Sequence, residues 1–165
     1  MAADGRRVLV LGIGNRLRGD DGIGSVVAER LAKAGKLPAV DCGEMPDNYV
    51  GRVWEFKPDE IIIVDACDFG GRPGEIRVFE EGEFERIANR PLSTHQLPLP
   101  MLIGLIRMEK GLARRIRLVG VQPLKTGYFT EEMSEPVRKA IPRVVRLIRR
   151  LAADSPGASP KDDER

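Results

Sequence analysis

A short apolar run that breaks on a glycine-rich loop, with an amphipathic segment directly behind it, constrains this chain more than any other feature. Val8, Leu9, Val10 and Leu11 lead into Gly12-Ile13-Gly14-Asn15-Arg16-Leu17-Arg18-Gly19-Asp20-Asp21-Gly22-Ile23-Gly24, and residues 25–34 then carry apolar side chains at helical spacing. Strand, loop and helix in that order open an α/β sheet. Loops of this kind often cradle a phosphate, but two features exclude that use here. Leu17 stands where a dinucleotide fingerprint needs its third glycine, and the lysine and hydroxyl residue of a phosphate loop are missing. Asp20 and Asp21 occupy the start of the helix instead. They would repel a phosphate, whereas a helix N-terminus stabilises carboxylates and leaves them ready to meet a cation.

The rest of the chain alternates. Strands are expected over residues 8–12, 39–42, 60–66, 75–79 and 116–121, and helices over 22–34, 48–56, 98–110 and 136–153. That interleaving predicts a three-layer α/β fold, a mostly parallel sheet with helices on both faces. The link Gly70-Gly71-Arg72-Pro73-Gly74 is too short for a crossover. The strand after it is therefore expected to run antiparallel, making the sheet mixed. Pro142 is expected to kink or shorten the last helix. Residues 1–153 read as a single α/β domain. Residues 154–165, polar and interrupted by prolines, read as a disordered C-terminal tail.

Composition removes several function classes. The 27 Lys and Arg against 25 Asp and Glu leave a net charge of +2, so no bulk electrostatic case for nucleic acid exists. No apolar run approaches the roughly 20 residues that span a bilayer, so no membrane insertion is expected. Residues 1–7 lack a signal-peptide core, and Cys42 and Cys67 cannot build a disulfide framework. A cytoplasmic location is the expectation, with a monomer favoured.

The chemistry-bearing candidates are few. His95, the only histidine, lies in Leu92-Ser93-Thr94-His95-Gln96-Leu97-Pro98-Leu99, while Asp21 and Asp65 fall at strand-to-loop junctions. Open α/β sheets bind ligands at the carboxyl ends of their strands, where these three could meet. Two carboxylates and one imidazole make a small metal site with coordination positions to spare. Each residue also has a plainer role open to it: Asp21 or Asp20 as a first-turn carboxylate, Asp65 as a loop cap, His95 as a packed or solvated side chain. Cys67 reads as a buried thiol rather than a soft metal donor. Ser93 and Thr94 lack the base and orienting group of a hydroxyl nucleophile. Asn15 either orients a substrate carbonyl or holds its own turn. Asp68 and Glu44 are further acids close to this rim in sequence. Lys139, Arg143, Arg146 and Arg150 form a solvated helix face or a dock for an acidic partner.

Four separated blocks carry a family resemblance: Gly12-Ile13-Gly14-Asn15 with Asp20-Asp21-Gly22-Ile23-Gly24; Ile62-Ile63-Val64-Asp65-Ala66; Ser93-Thr94-His95; and Val119-Gly120-Val121-Gln122-Pro123. In this order, over roughly residues 7–150, the chain resembles the nickel-iron (NiFe) hydrogenase maturation endopeptidases, most nearly the hydrogenase 3-type branch. The resemblance implies a twisted five-stranded sheet. It implies an endopeptidase that removes the C-terminal extension of a hydrogenase large-subunit precursor after nickel insertion. Asp21, Asp65 and His95 would be its catalytic and metal-recognising residues. Nickel would arrive with the substrate, and no tightly bound resident metal is expected. No His-Glu-x-x-His motif is present, and the second histidine of a typical zinc protease is missing too. Two rivals stay open: a non-enzymatic nickel-binding chaperone for hydrogenase assembly, and a general α/β hydrolase or nucleotide-binding domain.

Overall fold

The central strands β1 (Val8–Gly12) and β3 (Glu60–Ala66) are buried almost throughout. That is what near-continuous apolar runs require, because a parallel sheet is covered on both faces. The computed structural model describes residues 5–88, 98–124, 126 and 132–154. After β1 come α1 (Ile23–Ala34), β2 (Ala39–Asp41) and α2 (Val50–Phe56). After β3 come β4 (Ile76–Glu80), α3 (Phe84–Ala88), α4 (Leu99–Ile106), β5 (Arg115–Val121) and α5 (Glu135–Ala153). The five strands lie in the order β2-β1-β3-β5-β4. All pairs are parallel except β4 with β5, which is antiparallel as the short Gly70–Gly74 link demands.

Strand alternation divides the core. Val8, Val10, Ile62, Val64, Val119 and Val121 pack with α1 and α5 on one face. Leu9, Leu11, Ile61, Ile63, Ile116 and Leu118 pack on the other with Val50 and Val53 of α2, Phe84 of α3 and Leu102 and Ile106 of α4. The result is the expected three-layer arrangement.

Glycine decides how closely α1 seats on the carboxyl end of this sheet. A Cβ at Gly24 would lie 2.1 Å from the Ile13 carbonyl oxygen and 2.2 Å from that of Val64. Any side chain would push the helix start away from β1 and β3. The approach is sealed by Ile13 N–H donating to Val64 O at 2.9 Å and Gly14 N–H to Gly43 O at 2.9 Å.

Several expectations need revision. Helix α5 runs without a break from Glu135 to Ala153 through Pro142, so proline does not shorten it. Pro142 faces solvent, while Val137, Ala140, Ile141, Val144, Val145 and Ile148 are buried on the opposite stripe. Their burial, of order 1.5 kcal/mol or more for a large side chain, outweighs the roughly 3 kcal/mol that an interior proline costs. Helix α4 ends at Ile106 rather than at residue 110, because the chain turns there, with Gly111 at φ +83° and Ala113 at φ +49°, to enter β5. Residues 46–49 form a 3-10 turn before α2. Helix α3 leaves no periodic mark in the sequence, since five residues are too few to show a helical period. Asp154 closes α5; the remainder of the expected tail, residues 155–165, lies outside the described residues.

At the amino end of the sheet sits a buried ionic cluster. Glu60 and Arg117 are 1% and 4% exposed and joined by Arg117 Nε to Glu60 Oε1 at 2.7 Å. Arg6 also pairs with Glu60. Arg117 and Arg6 further donate to the carbonyls of Leu151 and Ala152 in the last turn of α5. Cations at a helix C-terminus are favourable, so the cluster fastens α5 to β3 and β5.

Candidate functional site

The opposite, carboxyl end of the sheet gathers the acids. The loop after β1 folds back through a 3-10 turn at Gly19–Gly22 that runs directly into α1. Asp21, 1% exposed, lies in that turn, and its Oδ2 accepts the Asn15 N–H at 3.0 Å. Oδ1 accepts no hydrogen bond from the described residues. Gly14, at φ +151°, lets the backbone pass so close to Asp21 that a Cβ would come within 1.9 Å of the Asp21 carbonyl oxygen. Asn15 Oδ1 accepts Leu17 N–H at 2.8 Å, so this side chain holds its own turn.

Asp65 is the penultimate residue of β3 and is half-buried. By strand alternation it shares the face of Ile61 and Ile63, toward α2 and α4. The link between the two acids is Cys67. Burial, and then the charges of Asp65 and Asp21, push its thiol well above the usual range. Both carboxylates therefore act on one spot at the end of β3. A protonated, 5% exposed thiol is a poor metal donor at neutral pH, which agrees with the buried-thiol reading.

Asp20 does something quite different from its neighbour. It is fully buried and accepts hydrogen bonds that include Oδ1 from Ser134 N–H at 2.7 Å, and Oδ2 from Ser134 Oγ–H at 2.7 Å and Leu124 N–H at 2.8 Å. Its carboxylate thus pins the strand-to-helix connection between β5 and α5 against the glycine loop. Arg18 adds a donation to Thr126 O at 3.2 Å. A first-turn helix position alone does not account for Asp20.

His95 lies outside the described residues, as do Ser93 and Thr94. Among the described residues no group of three or more His, Cys, Asp and Glu could hold a metal ion. Asp21 and Asp65 both lie at the carboxyl end of the sheet, near enough to Cys67 for each charge to raise its thiol.

Two residues that sequence reasoning left without a role organise the far rim. Gln122, after β5, accepts Phe69 N–H at 2.9 Å and Gly71 N–H at 3.1 Å on Oε1, and donates from Nε2 to Asp68 Oδ1 at 3.1 Å. It fixes the loop that follows Asp65. Gly120 is the register neighbour of Asp65 on one side and of Arg77 on the other. Having no side chain, it makes room for Cys67 and Phe79, whose atoms would lie 3.1 Å from a Cβ placed there. Both residues stand in the last of the four sequence blocks, which is the only signal that pointed to them.

Comparison with known proteins gives a consistent picture. The family described as HycI hydrogenase maturation protease matches residues 24–151. The hydrogenase 3 maturation protease of Escherichia coli is 33% identical over 142 residues, 85% of this chain and 87% of that protein. The crystal structure of a NiFe hydrogenase maturation protease, HycI from Thermococcus kodakarensis, superposes with a TM-score of 0.75 at 38% identity, covering 91% of this chain and 95% of that one. The hydrogenase maturating endopeptidase HybD of E. coli superposes at 0.73 with 25% identity over 86% and 89% of the two chains.

Proposed function

This chain belongs to the hydrogenase maturation protease family and is a peptidase; from that premise we propose that it cuts the C-terminal extension from a NiFe hydrogenase large-subunit precursor once nickel is in place, and that Asp21, Asp65 and His95 recognise that nickel. The observation that carries this reading is the convergence of Asp21 and Asp65 at the carboxyl end of β3, where both charges act on Cys67. Two hard oxygen donors and an imidazole form an incomplete site. A nickel ion held by soft donors of the precursor would complete it, because selectivity among first-row ions rests on geometry and ligand type more than on affinity.

The arrangement favours carboxylates over thiolate as the groups presented to the metal. Asp21 is held in place by the Asn15 N–H, in the turn that runs into α1. Asp65 is fixed by the backbone of β3, paired there with Gly120 of β5. Holding the metal fixes the peptide bound to it, and positioning of this kind is itself a large catalytic term. With both thiols free and buried, a reducing cytoplasm is the setting we assign.

The reading is tested by incubating nickel-loaded precursor with the protein and following intact mass. Wild type should release the extension. Asp21→Asn, Asp65→Asn and His95→Ala should fail to do so while melting like wild type, and Cys67→Ser should retain cleavage. Binding of the loaded precursor with no mass loss by wild type would favour a nickel chaperone. An active His95→Ala or Asp65→Asn variant would overturn the site.

A further inference from the structure

Among the described residues, the large apolar side chains that stand exposed are Leu17, Met45, Met101, Met108 and Leu124. Scattered singly, such residues call for no explanation, but all of these except Met108 share one end of the molecule. Leu17, Met45 and Leu124 lie on the loops that follow β1, β2 and β5, at the carboxyl end of the sheet. Met101 lies in the first turn of α4, which runs from that end back to the amino end, where β5 begins. We propose that these side chains, with Leu17 and Leu124 at their centre, are the docking surface for the folded body of the precursor, and that they meet apolar protein surface around its bound metal. The proposal rests on the function assigned above and adds to it how the protein around the ion is recognised.

The two leucines belong to the site through their backbones. Leu17 N–H donates to Asn15 Oδ1 at 2.8 Å, and Asn15 N–H is itself the donor to Asp21 Oδ2. Leu124 N–H donates at 2.8 Å to Asp20, the residue next to Asp21. One loop therefore fixes both leucines and the metal-facing acid together. A protein surface seated on Leu17 and Leu124 is already beside Asp21.

That loop offers a partner little else. Of residues 15–20 only Arg16 and Leu17 are exposed. The Arg16 guanidinium is tied down, with Nε donating to Ser25 Oγ at 2.7 Å and Nη2 paired with Glu29 at 2.7 Å. Leu17, 51% exposed, is left as the side chain that the loop presents, and Leu124 is 57% exposed. Nothing in the turn asks for leucine at either place, because both hydrogen bonds come from backbone N–H groups. An apolar side chain on a backbone already held adds little ordering cost when a partner covers it. Met45 and Met101 extend the surface with unbranched thioethers, which adapt to irregular contacts. Apolar groups of this kind select an apolar protein surface; a polyanion would call for unpaired cations at the loop tip.

The test is steady-state cleavage of nickel-loaded precursor by the full-length protein, followed by intact mass. Leu17→Ser and Leu124→Ser should each raise KM about fivefold at unchanged kcat, the loss expected when a half-exposed leucine no longer gains burial. The double variant should raise it about twentyfold if the two contacts are independent. Leu17→Met, which keeps the apolar bulk, should keep the wild-type KM, and so should Met108→Ser, at the amino end of the sheet. All of these variants should melt like wild type, since each side chain is exposed. Because the surface meets protein and not metal, apo-precursor should inhibit wild type competitively, and its inhibition constant should rise in the double variant by about the same factor as KM. A wild-type KM in the double variant, an equal rise in Met108→Ser, or apo-precursor inhibition that the double variant leaves unchanged would each overturn the docking surface. An active Asp65→Asn variant would instead defeat the site reading and leave the docking result standing.

Discussion

Replacing Asp20 by asparagine should destabilise the fold while the same change at Asp21 should not, although the two acids are adjacent. Asp20 satisfies the N–H and hydroxyl of Ser134, both buried, and the part-buried N–H of Leu124. An asparagine keeps one acceptor oxygen and turns its amide N–H toward the remaining donor. If that donor is Ser134 N–H, one buried N–H is left unmet at a cost of about 1–3 kcal/mol. The two surviving bonds change from charge-assisted to neutral and lose about 1 kcal/mol each. The sum is about 3–5 kcal/mol, and at roughly 2–4 °C per kcal/mol for a chain of this size the melting temperature falls by roughly 6–20 °C. Asp21→Asn can still accept the single Asn15 N–H through its amide oxygen, so its cost is about 1 kcal/mol or less. Thermal unfolding followed by far-UV circular dichroism, with urea titration to confirm an unchanged m-value, separates the two variants. An Asp20→Asn protein that melts within about 1 °C of wild type would refute the assignment of Asp20 as the clamp between the glycine loop and α5.

Two further outcomes concern the buried charges and thiols. Glu60→Gln leaves Arg117 buried without its counter-charge and should cost about 3–5 kcal/mol in urea unfolding, with cleavage per folded molecule unchanged because the cluster lies at the far end of the sheet; a loss under about 0.5 kcal/mol would contradict it. Burial raises the Cys42 thiol to about 12, with Asp41 adding to the effect, and raises Cys67 as well. The neutral thiol is therefore the folded-state form at pH 8, and a thiol reagent should label neither cysteine until denaturant is added; rapid labelling of native protein would show that the thiols are not sealed in the core.

How far the sequence revealed this molecule depended on the reach of the interactions involved. Strands β1 and β3 were legible to the residue because burial on both faces leaves an unbroken apolar run, and a glycine or an acid ends it. The antiparallel β4 followed from a link too short to cross over. Glu60 and Arg117 were not legible. A charge in a strand reads as solvent-facing, and their mutual satisfaction depends on a partner 57 residues away. Asp20 and Asp21 look alike in sequence; their division of labour appears only once Ser134, 114 residues on from Asp20, closes over the loop. The persistence of α5 through Pro142 is the tertiary packing of an apolar stripe overriding a local preference. The loop at Phe69 depends on a buried Gln122 that nothing local distinguishes from an ordinary loop residue.

Whether nickel in the precursor, and not metal in the enzyme, licenses cleavage is decided by a crossed incubation. Enzyme stripped with chelator and dialysed is mixed with nickel-loaded precursor, and zinc-treated enzyme with apo-precursor, each followed by intact mass. With two carboxylates and an imidazole as the enzyme's donors, the extension should be released in the first mixture and the mass should stay unchanged in the second. Cutting of apo-precursor in the presence of chelator would contradict it and leave a protease whose carboxylates act without metal.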